Sequence, residues 1–319
     1  MESLTRFLEK SQVLLNSSKE EYRFNFGELS QHNTPSKIWG GRESLHGTDY
    51  RLLLYSWFVE SVCDIEKISE NTNKARVWSW VNEGLANIVP DKPDQKLVNL
   101  LTEEIYNQFS INAKRARGGW PIDLKKELIA KEVKPKCWIC KREFCDEAIF
   151  NFTTRGKKQE LNPFPIVDFM FPRGVNSQDL RIEIEHVIPF SKKASDPHCI
   201  ANLALSCGWC NNAKSNHMSI YTTSRNGKYF NHPALGPRSI PNRYWVVKLL
   251  MLTNECEVCK RRPNIKGNEL RFSLKNPKGV ANINNLKVVC GKCDDIKGDR
   301  LVEATSYKDK IFSKRSNFI

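Results

Sequence analysis

Four Cys-x-x-Cys pairs constrain the fold of this chain more than any other feature of its sequence. They fall into two sets of four cysteines. The first set is Cys137, Cys140, Cys207 and Cys210, and the second set is Cys256, Cys259, Cys290 and Cys293. Two residues between cysteines let both thiolates face one ion, and two such pairs complete the tetrahedral sulfur site of structural zinc. The spacing therefore predicts two structural Zn²⁺ ions, neither with an open position for catalysis.

The N-terminus and the apolar runs indicate the compartment. Met1-Glu2-Ser3-Leu4 is not a basic stretch followed by an apolar core, so we expect no secretory signal. The longest apolar segments, such as Leu52 to Tyr55 and Trp245 to Leu252, are interrupted by polar or charged residues well short of the roughly 18 to 20 residues that span a bilayer. We therefore expect a cytoplasmic protein with no membrane partner. In that compartment paired cysteines bind metal more often than they form disulfides.

The net charge of +14 is distributed unevenly. Residues 1–130 hold 17 Lys and Arg against 18 Asp and Glu, whereas residues 131–319 hold 33 against 18. All of the positive excess therefore lies in the cysteine-rich part. Such a concentration predicts a polyanionic partner, most simply a nucleic acid, although charge does not distinguish DNA from RNA.

The chain changes character near residue 134. Before it, apolar residues recur at three- and four-residue spacing, which predicts five helices: Leu4 to Leu15, Tyr50 to Ile68, Ala75 to Ile88, Gln95 to Ile111 and Leu124 to Val133. Beyond it come short strand patterns, turns and paired cysteines. We expect an α+β protein with a helical domain (1–133) for recognition, dimerisation or partner binding. A first zinc module (134–222) and a basic connector with a second, degenerate zinc module (223–319) follow.

The connector interleaves aromatic and basic residues. They are Arg225, Lys228, Tyr229, Phe230, Arg238, Arg243, Tyr244 and Trp245. This pattern suits contact with a nucleic-acid backbone, and it equally suits a connector that packs its aromatic side chains on the neighbouring core.

Charged and apolar residues alternate over residues 180–186, which predicts a half-buried strand that ends at Glu185 and His186. A second short strand follows over residues 203–206. A helix then begins near Gly208 and carries Asn211 and Lys214. The order strand, strand, helix predicts that polar groups of the first strand and of the helix face one another.

These residues resemble the HNH (ββα-metal) endonuclease family. The resemblance covers about residues 135–217. It rests on Glu185-His186-Val187-Ile188-Pro189, on Asn202-Leu203 and on the segment from Cys207 to Lys214, with Cys137 and Cys140 enclosing the site. The chain is similar to an H-N-N variant, because Asn211 stands where the family often has histidine.

The resemblance implies a role for each position. His186 is implied as the general base, and Glu185 and Asn211 as the ligands of one catalytic Mg²⁺ or Mn²⁺ ion. Asn202 would orient His186 through loop hydrogen bonds. Lys214 would add a phosphate contact unless it is simply solvated. Asn212 is the rival of Asn211 and is disfavoured, because the spacing from Asn211 to Lys214 matches the family pattern.

The segments around the second cysteine pair of each set resemble one another, which indicates an internal duplication. Aligned on the cysteines, the second copy has Lys275-Asn276 in place of Glu185-His186 and Asp294 in place of Asn211. We therefore expect an inactive copy that either grips DNA or is purely architectural. Its candidates for DNA contact are Lys275, Lys278, Lys287, Lys292, Lys297 and Arg300.

The expected function is a metal-dependent endonuclease that cleaves double-stranded DNA in a prokaryotic or phage-infected cell, as part of restriction or defence. One active site per chain must cut two strands, so a homodimer is the economical expectation, and a defence-system partner protein is compatible with it. The alternatives are a homing or nicking HNH enzyme, a non-catalytic zinc-finger DNA-binding protein, or an enzyme that acts on RNA.

Overall fold

The structure is a computed structural model, and it describes residues 42–69, 71–88, 92–107, 119–189, 199–223, 228–262 and 269–312. The chain divides into two compact units, Met1–Thr48 and Asp49–Ile319. The described part of the first unit is residues 42–48, which begin a helix. The helix predicted over Leu4 to Leu15 lies outside the described residues. Within the described ranges, no helix has the length and apolar character that a membrane span requires.

The helices of the N-terminal part are α1 (Glu43–Val62), α2 (Lys74–Ile88) and α3 (Gln95–Ile105). On α2 the buried residues Val77, Val81 and Leu85 recur every four positions, as an amphipathic helix requires, and they pack against the buried face of α3. Gly84 permits a close contact with the end of α1, because a Cβ there would lie 1.8 Å from the carbonyl oxygen of Val62. The prediction of N-terminal helices is confirmed.

The bounds of one of these helices differ from the prediction. The helix expected from Tyr50 begins earlier, at Glu43, and ends at Val62, where a 3-10 turn (Ile65–Lys67) follows after a break. The helix expected to reach Ile111 is α-helical over Gln95–Ile105 and continues as a π-helix at residues 106 and 107, and residues 108–111 lie outside the described residues. Apolar spacing identifies the face that a helix buries, but it does not fix the residue at which the helix ends.

The remaining elements are short. The helices are α4 (Ile122–Ala130), α5 (Asp146–Thr153), α6 (Gly208–Lys214), α7 (Arg243–Leu252) and α8 (Ala304–Phe312). The strands are β1 (Ile166–Asp168), β2 (Ile182–His186), β3 (Leu203–Cys207), β4 (Lys228–His232), β5 (Gly236–Ile240), β6 (Leu270–Leu274), β7 (Leu286–Cys290) and β8 (Leu301–Glu303). They form four antiparallel pairs, which are β1 with β8, β2 with β3, β4 with β5 and β6 with β7. The expected α+β class is confirmed.

The β2–β3 pair has one apolar face and one polar face. Ile182 lies opposite Cys207, Ile184 opposite Leu205, and His186 opposite Leu203. Opposite residues of an antiparallel pair share a face, so these six form one side. Ile182, Ile184, Leu203 and Leu205 on this side belong to a core that includes Leu128 of α4 and Phe152 of α5. Glu183 and Glu185 alternate with them and therefore lie on the other side, which contacts α6.

The second zinc module repeats hydrogen bonds of the first. Asn202 accepts from the backbone N–H of Ile188 at 2.9 Å and donates to its carbonyl at 3.1 Å. Asn285 makes the same two bonds with Asn276, at 2.8 and 3.1 Å. The turn after each first cysteine pair also recurs, because Lys141 and Lys260 both have a φ of 61°. These shared bonds support the internal duplication.

The strand registers correct the alignment of the two copies. Ile182 pairs with Cys207 in the first copy, and Leu270 pairs with Cys290 in the second. The residues at the positions of Glu185 and His186 are therefore Ser273 and Leu274. The expected placement of Lys275 and Asn276 at these positions is wrong.

The error comes from loop length. The connection between the paired strands spans residues 187–202 in the first copy and 275–285 in the second, so spacing counted from the cysteines does not carry over to the first strand. Where the first copy has α6, residues 291–297 of the second form turns, and a 3-10 turn follows at Gly298–Arg300. The second copy thus keeps the strand pair and the cysteines without the carboxylate, the imidazole or the helix.

Candidate active site and zinc sites

The eight paired cysteines form the two clusters that their spacing predicts. In the first cluster the sulfur atoms of Cys137, Cys140, Cys207 and Cys210 all lie within 4.8 Å of one another. The Sγ atoms of Cys140 and Cys207 are 4.0 Å apart. Four sulfurs at about 2.3 Å from a tetrahedral Zn²⁺ ion would be about 3.8 Å apart. The donor set therefore fits a structural zinc ion that keeps no open position.

The second cluster has the same geometry. Its cysteines, Cys256, Cys259, Cys290 and Cys293, also have sulfur atoms within 4.8 Å of one another. The Sγ atoms of Cys259 and Cys290 are 3.6 Å apart. Among the described residues, these two clusters are the only groups of three or more His, Cys, Asp or Glu side chains that converge this closely. The prediction of two four-cysteine sites that can hold zinc is confirmed.

Glu185 and Lys214 form a buried ion pair between β2 and α6. The Nζ atom of Lys214 lies 2.5 Å from Oε1 of Glu185, and the two side chains are 1% and 8% exposed. Burial raises the pKa of Glu185 and the positive charge of Lys214 opposes this shift. Burial lowers the pKa of Lys214 and Glu185 opposes that shift in turn. Lys214, for which a phosphate contact or simple solvation was expected, is thus buried and bound to the carboxylate beside it.

Glu183 occupies the next position on the same face of β2. The Nδ2 atom of Asn211 donates a hydrogen bond to Oε2 of Glu183. Since residues i and i+2 of a strand share a face, Glu183 and Glu185 both face α6, where each meets one polar residue of the helix. The expectation that polar groups of strand and helix face each other agrees with these contacts. Glu183 is not among the residues that carry the family resemblance, although its alternation with Glu185 in the sequence points to it.

His186 lies on the other face of the strand from Glu185. Its ring centroid is 5.7 Å from that of Trp120, with the planes tilted by 46°. Its backbone carbonyl accepts a hydrogen bond from Lys214 Nζ at 2.8 Å. Lys214 therefore binds the carboxylate of Glu185 and the main chain of His186 together. The imidazole stays at the same strand end as the carboxylate but on the opposite face, which adjacency in the sequence did not reveal.

Asn202 fixes the chain that follows His186. Besides its two bonds with Ile188, its backbone carbonyl accepts from the N–H of Val187 at 2.9 Å. The side chain is 3% exposed. Three bonds from one buried residue thus hold Val187 and Ile188, the two residues after His186.

Comparison with known proteins identifies the segment that contains this strand end. The family model described as HNH endonuclease matches residues 175–217. Residues 175–217 carry an HNH endonuclease domain. No curated protein and no solved structure matches the chain significantly. The match places this segment with the HNH endonucleases, and the segment contains Glu185, His186, Asn202, Asn211 and Lys214.

Asn212, the rival of Asn211, faces a different environment. It lines a cavity of about 310 Å³ beside the HNH domain, together with Trp209, Arg243 and Tyr307. Neither Glu183 nor Glu185 lines this cavity. Asn211 is therefore the asparagine of α6 that meets the polar face of β2.

The basic candidates outside the HNH domain divide into exposed and buried groups. In the connector Lys228, Tyr229 and Arg243 are exposed, as contact with a nucleic acid requires. Phe230 and Tyr244 are buried, as packing on the neighbouring core requires. Arg225 lies outside the described residues. In the second zinc module Lys275, Lys278, Lys292 and Lys297 are exposed.

Arg300 is not a surface residue, and its candidacy for DNA contact is wrong. Its side chain is 1% exposed and donates to Asp294 at 2.7 and 2.9 Å and to Asp168 at 2.7 Å. Lys287 is largely buried as well and pairs with Asp295. Two carboxylates attract Arg300 into the interior, where it joins the second zinc module to β1.

Proposed function

We propose that this chain is a metal-dependent endonuclease that hydrolyses phosphodiester bonds of double-stranded DNA. His186 acts as the general base, and Glu185 and Asn211 hold one Mg²⁺ or Mn²⁺ ion. The observation that carries the proposal is the shared anchor at the end of β2. Lys214 binds both the Glu185 carboxylate and the His186 carbonyl, so the carboxylate and the imidazole belong to one rigid strand and helix unit within the HNH domain.

The donor chemistry fits a hard divalent cation. Glu185 supplies a carboxylate and Asn211 an amide oxygen, which are the ligand types that Mg²⁺ and Mn²⁺ prefer. A cation bound there would stabilise the negative charge that develops on the phosphate and on the leaving oxygen. The two zinc sites offer no such position, since all four ligands of each are cysteines.

The end of β2 carries a group suited to an in-line reaction. In-line displacement places the attacking water and the leaving oxygen on opposite sides of the phosphorus atom. His186 and Glu185 are adjacent at the end of β2. Imidazole is the side chain whose ordinary pKa lies near neutrality, so it is suited to remove the proton of the attacking water. Asn202 holds the main chain that follows His186, and we propose that it thereby orients the imidazole.

The wider assignment rests on charge and on the single HNH domain. The basic excess of residues 131–319 favours a nucleic acid as substrate. We propose the divisions 1–133, 134–222 and 223–319, with the second zinc module as an inactive DNA-binding or architectural copy. Two strands require two cuts, so we propose a homodimer that acts in prokaryotic or phage restriction or defence, in the cytoplasm, with or without a partner protein.

The experiment is incubation of the zinc-loaded protein with supercoiled plasmid, single-stranded DNA and RNA, each with Mg²⁺, Mn²⁺ or Zn²⁺. The proposal expects linear plasmid in Mg²⁺ or Mn²⁺, with mapped ends carrying a 5′ or 3′ phosphate. Nicked circles alone, with a monomer in gel filtration, would favour the homing or nicking alternative. Cleavage of RNA alone would replace the substrate, and binding without cleavage under every condition would leave a zinc-finger DNA-binding protein.

A further inference from the structure

Asn211 and Glu183 form a contact that the family resemblance does not include. Glu183 accepts a hydrogen bond from Nδ2 of Asn211, and both residues are partly exposed beside the buried Glu185 and Lys214 pair. Glu183 lies on the same face of β2 as Glu185 and two residues before it. The contact therefore joins the proposed cation ligand on α6 to a second carboxylate of the strand.

This contact determines which way the amide of Asn211 points. An ionised carboxylate has no hydrogen to donate, so Asn211 must present its NH₂ group to Glu183. The amide is planar, and its Oδ1 atom consequently points away from Glu183. Within the part of the chain that the structure describes, Oδ1 of Asn211 has no hydrogen-bond partner. An acceptor oxygen is thus held in one direction and left available.

The inactive copy provides an internal comparison. The positions of Glu183 and Asn211 are occupied there by Arg271 and Asp294, whose Nη1 and Oδ2 atoms are 3.8 Å apart. Both carboxylate oxygens of Asp294 also accept hydrogen bonds from Arg300, at 2.7 and 2.9 Å. The pairing of strand and following segment is kept in both copies. Of these two described positions, only that of the first copy has a side-chain oxygen without a hydrogen bond, which is Oδ1 of Asn211.

We infer that Glu183 is a positioning residue that orients the amide of Asn211 so that Oδ1 faces the divalent cation. The inference rests on the proposed function, because it takes Asn211 as a cation ligand, and it adds a residue to that site. Partners that fix the direction of a metal ligand typically change metal affinity or activity by about 10- to 100-fold when they are removed. On this inference Glu183 contributes through Asn211, and the double variant tests this route.

The test measures Mn²⁺ binding to the full-length, zinc-loaded protein from the electron paramagnetic resonance signal of free Mn²⁺. The variants are Glu183→Ala, Glu183→Gln, Asn211→Ala and the double variant Glu183→Ala/Asn211→Ala. The matched control is Glu160→Ala, because Glu160 is an exposed carboxylate with no ion pair among the described residues. Zinc content of each variant reports whether the fold is kept, and plasmid cleavage against Mn²⁺ concentration is recorded in parallel.

We expect Glu183→Ala to raise the Mn²⁺ dissociation constant by about 10- to 100-fold at unchanged zinc content. Glu183→Gln should lose less, since its amide oxygen still accepts from Asn211. In the Asn211→Ala background, removal of Glu183 should cause no further loss, because its effect passes through the missing amide. The control should bind Mn²⁺ as the wild type does.

Three results would overturn the inference. The first is a Glu183→Ala variant that binds Mn²⁺ as tightly as Glu160→Ala does. The second is a double variant in which the two losses of Mn²⁺ affinity multiply. The third is a wild-type protein with no saturable Mn²⁺ site. If the variants show the expected Mn²⁺ affinities but the wild-type protein cleaves no nucleic acid, only the proposed function is contradicted. Cleavage that requires His186, combined with Mn²⁺ affinity indifferent to Glu183, contradicts this inference alone.

Discussion

The ammonium group of Lys214 lies 2.5 Å from the carboxylate of Glu185, and this pair is almost completely removed from solvent. A buried charge is tolerated only when it is paired, and loss of one partner costs about 3 to 5 kcal/mol. The pair therefore ties β2 to α6, the two elements that carry the proposed site.

Lys214→Met should lower the free energy of unfolding of the zinc-loaded protein by about 3 to 5 kcal/mol, because the buried carboxylate of Glu185 would lose the ammonium group that pairs with it. Lys126→Met is the matched control. Lys126 is exposed on α4, and its loss should change stability by less than about 0.5 kcal/mol. Urea unfolding of both variants measures the difference. Equal stability of the two would show that the buried pair contributes nothing to the fold.

Asn202 and Asn285 allow a paired experiment, since they make equivalent bonds in the two copies. Asn202→Ala should lower stability by about 1 to 3 kcal/mol through the loss of buried hydrogen bonds. It should also slow cleavage by about 100-fold, because His186 loses its orientation. Asn285→Ala should cost less stability and leave the cleavage rate unchanged. Equal cleavage by both variants would contradict the orienting role of Asn202.

Removal of one cluster should be visible in the zinc content. The wild-type protein should hold two zinc ions, as the two clusters indicate, and Cys140→Ala should hold one and lose the fold of the HNH domain. The exposed free thiol Cys145 provides the control, and Cys145→Ala should keep both ions. Atomic emission and circular dichroism measure the two properties. Retention of two zinc ions by Cys140→Ala would contradict the four-cysteine assignment.

Arg300 and Lys292 should separate stability from nucleic-acid binding. Arg300→Met leaves Asp294 and Asp168 without their buried partner and should cost about 3 to 5 kcal/mol. Lys292→Met, an exposed change, should leave stability intact and weaken DNA binding, with a salt dependence reduced by about one phosphate contact. Denaturant unfolding and binding titrations at several salt concentrations test both. Unchanged DNA binding by Lys292→Met would favour the architectural role of the second module.

The features set by local spacing were predictable from the sequence. The cysteine pairs indicate both zinc clusters, and the apolar alternation before Glu185 indicates β2, because these signals depend on a few neighbouring residues. The partners across β2 and α6 were not predictable in the same way. A lysine on a helix is usually solvated, and only the packing of α6 on the strand shows that Lys214 is buried with Glu185.

The alignment of the first strands of the two copies was not predictable from the sequence either. The cysteines align the second strands correctly, but the loop before them differs in length, and only the hydrogen-bond register identifies Ser273 and Leu274 as the counterparts of Glu185 and His186. The burial of Arg300 was also not predictable from local spacing. Its carboxylate partner Asp168 stands far away in the sequence and is brought near by the pairing of β1 with β8.

The central claim is that one imidazole at the end of β2 removes the proton of the attacking water. The most direct measurement is plasmid cleavage by His186→Ala in saturating Mg²⁺ or Mn²⁺, with zinc content and DNA affinity determined on the same preparation. Loss of a general base typically costs about 100- to 10,000-fold in rate. The account predicts a loss of this size at unchanged zinc content and DNA affinity. Cleavage at the wild-type rate by this variant would contradict it.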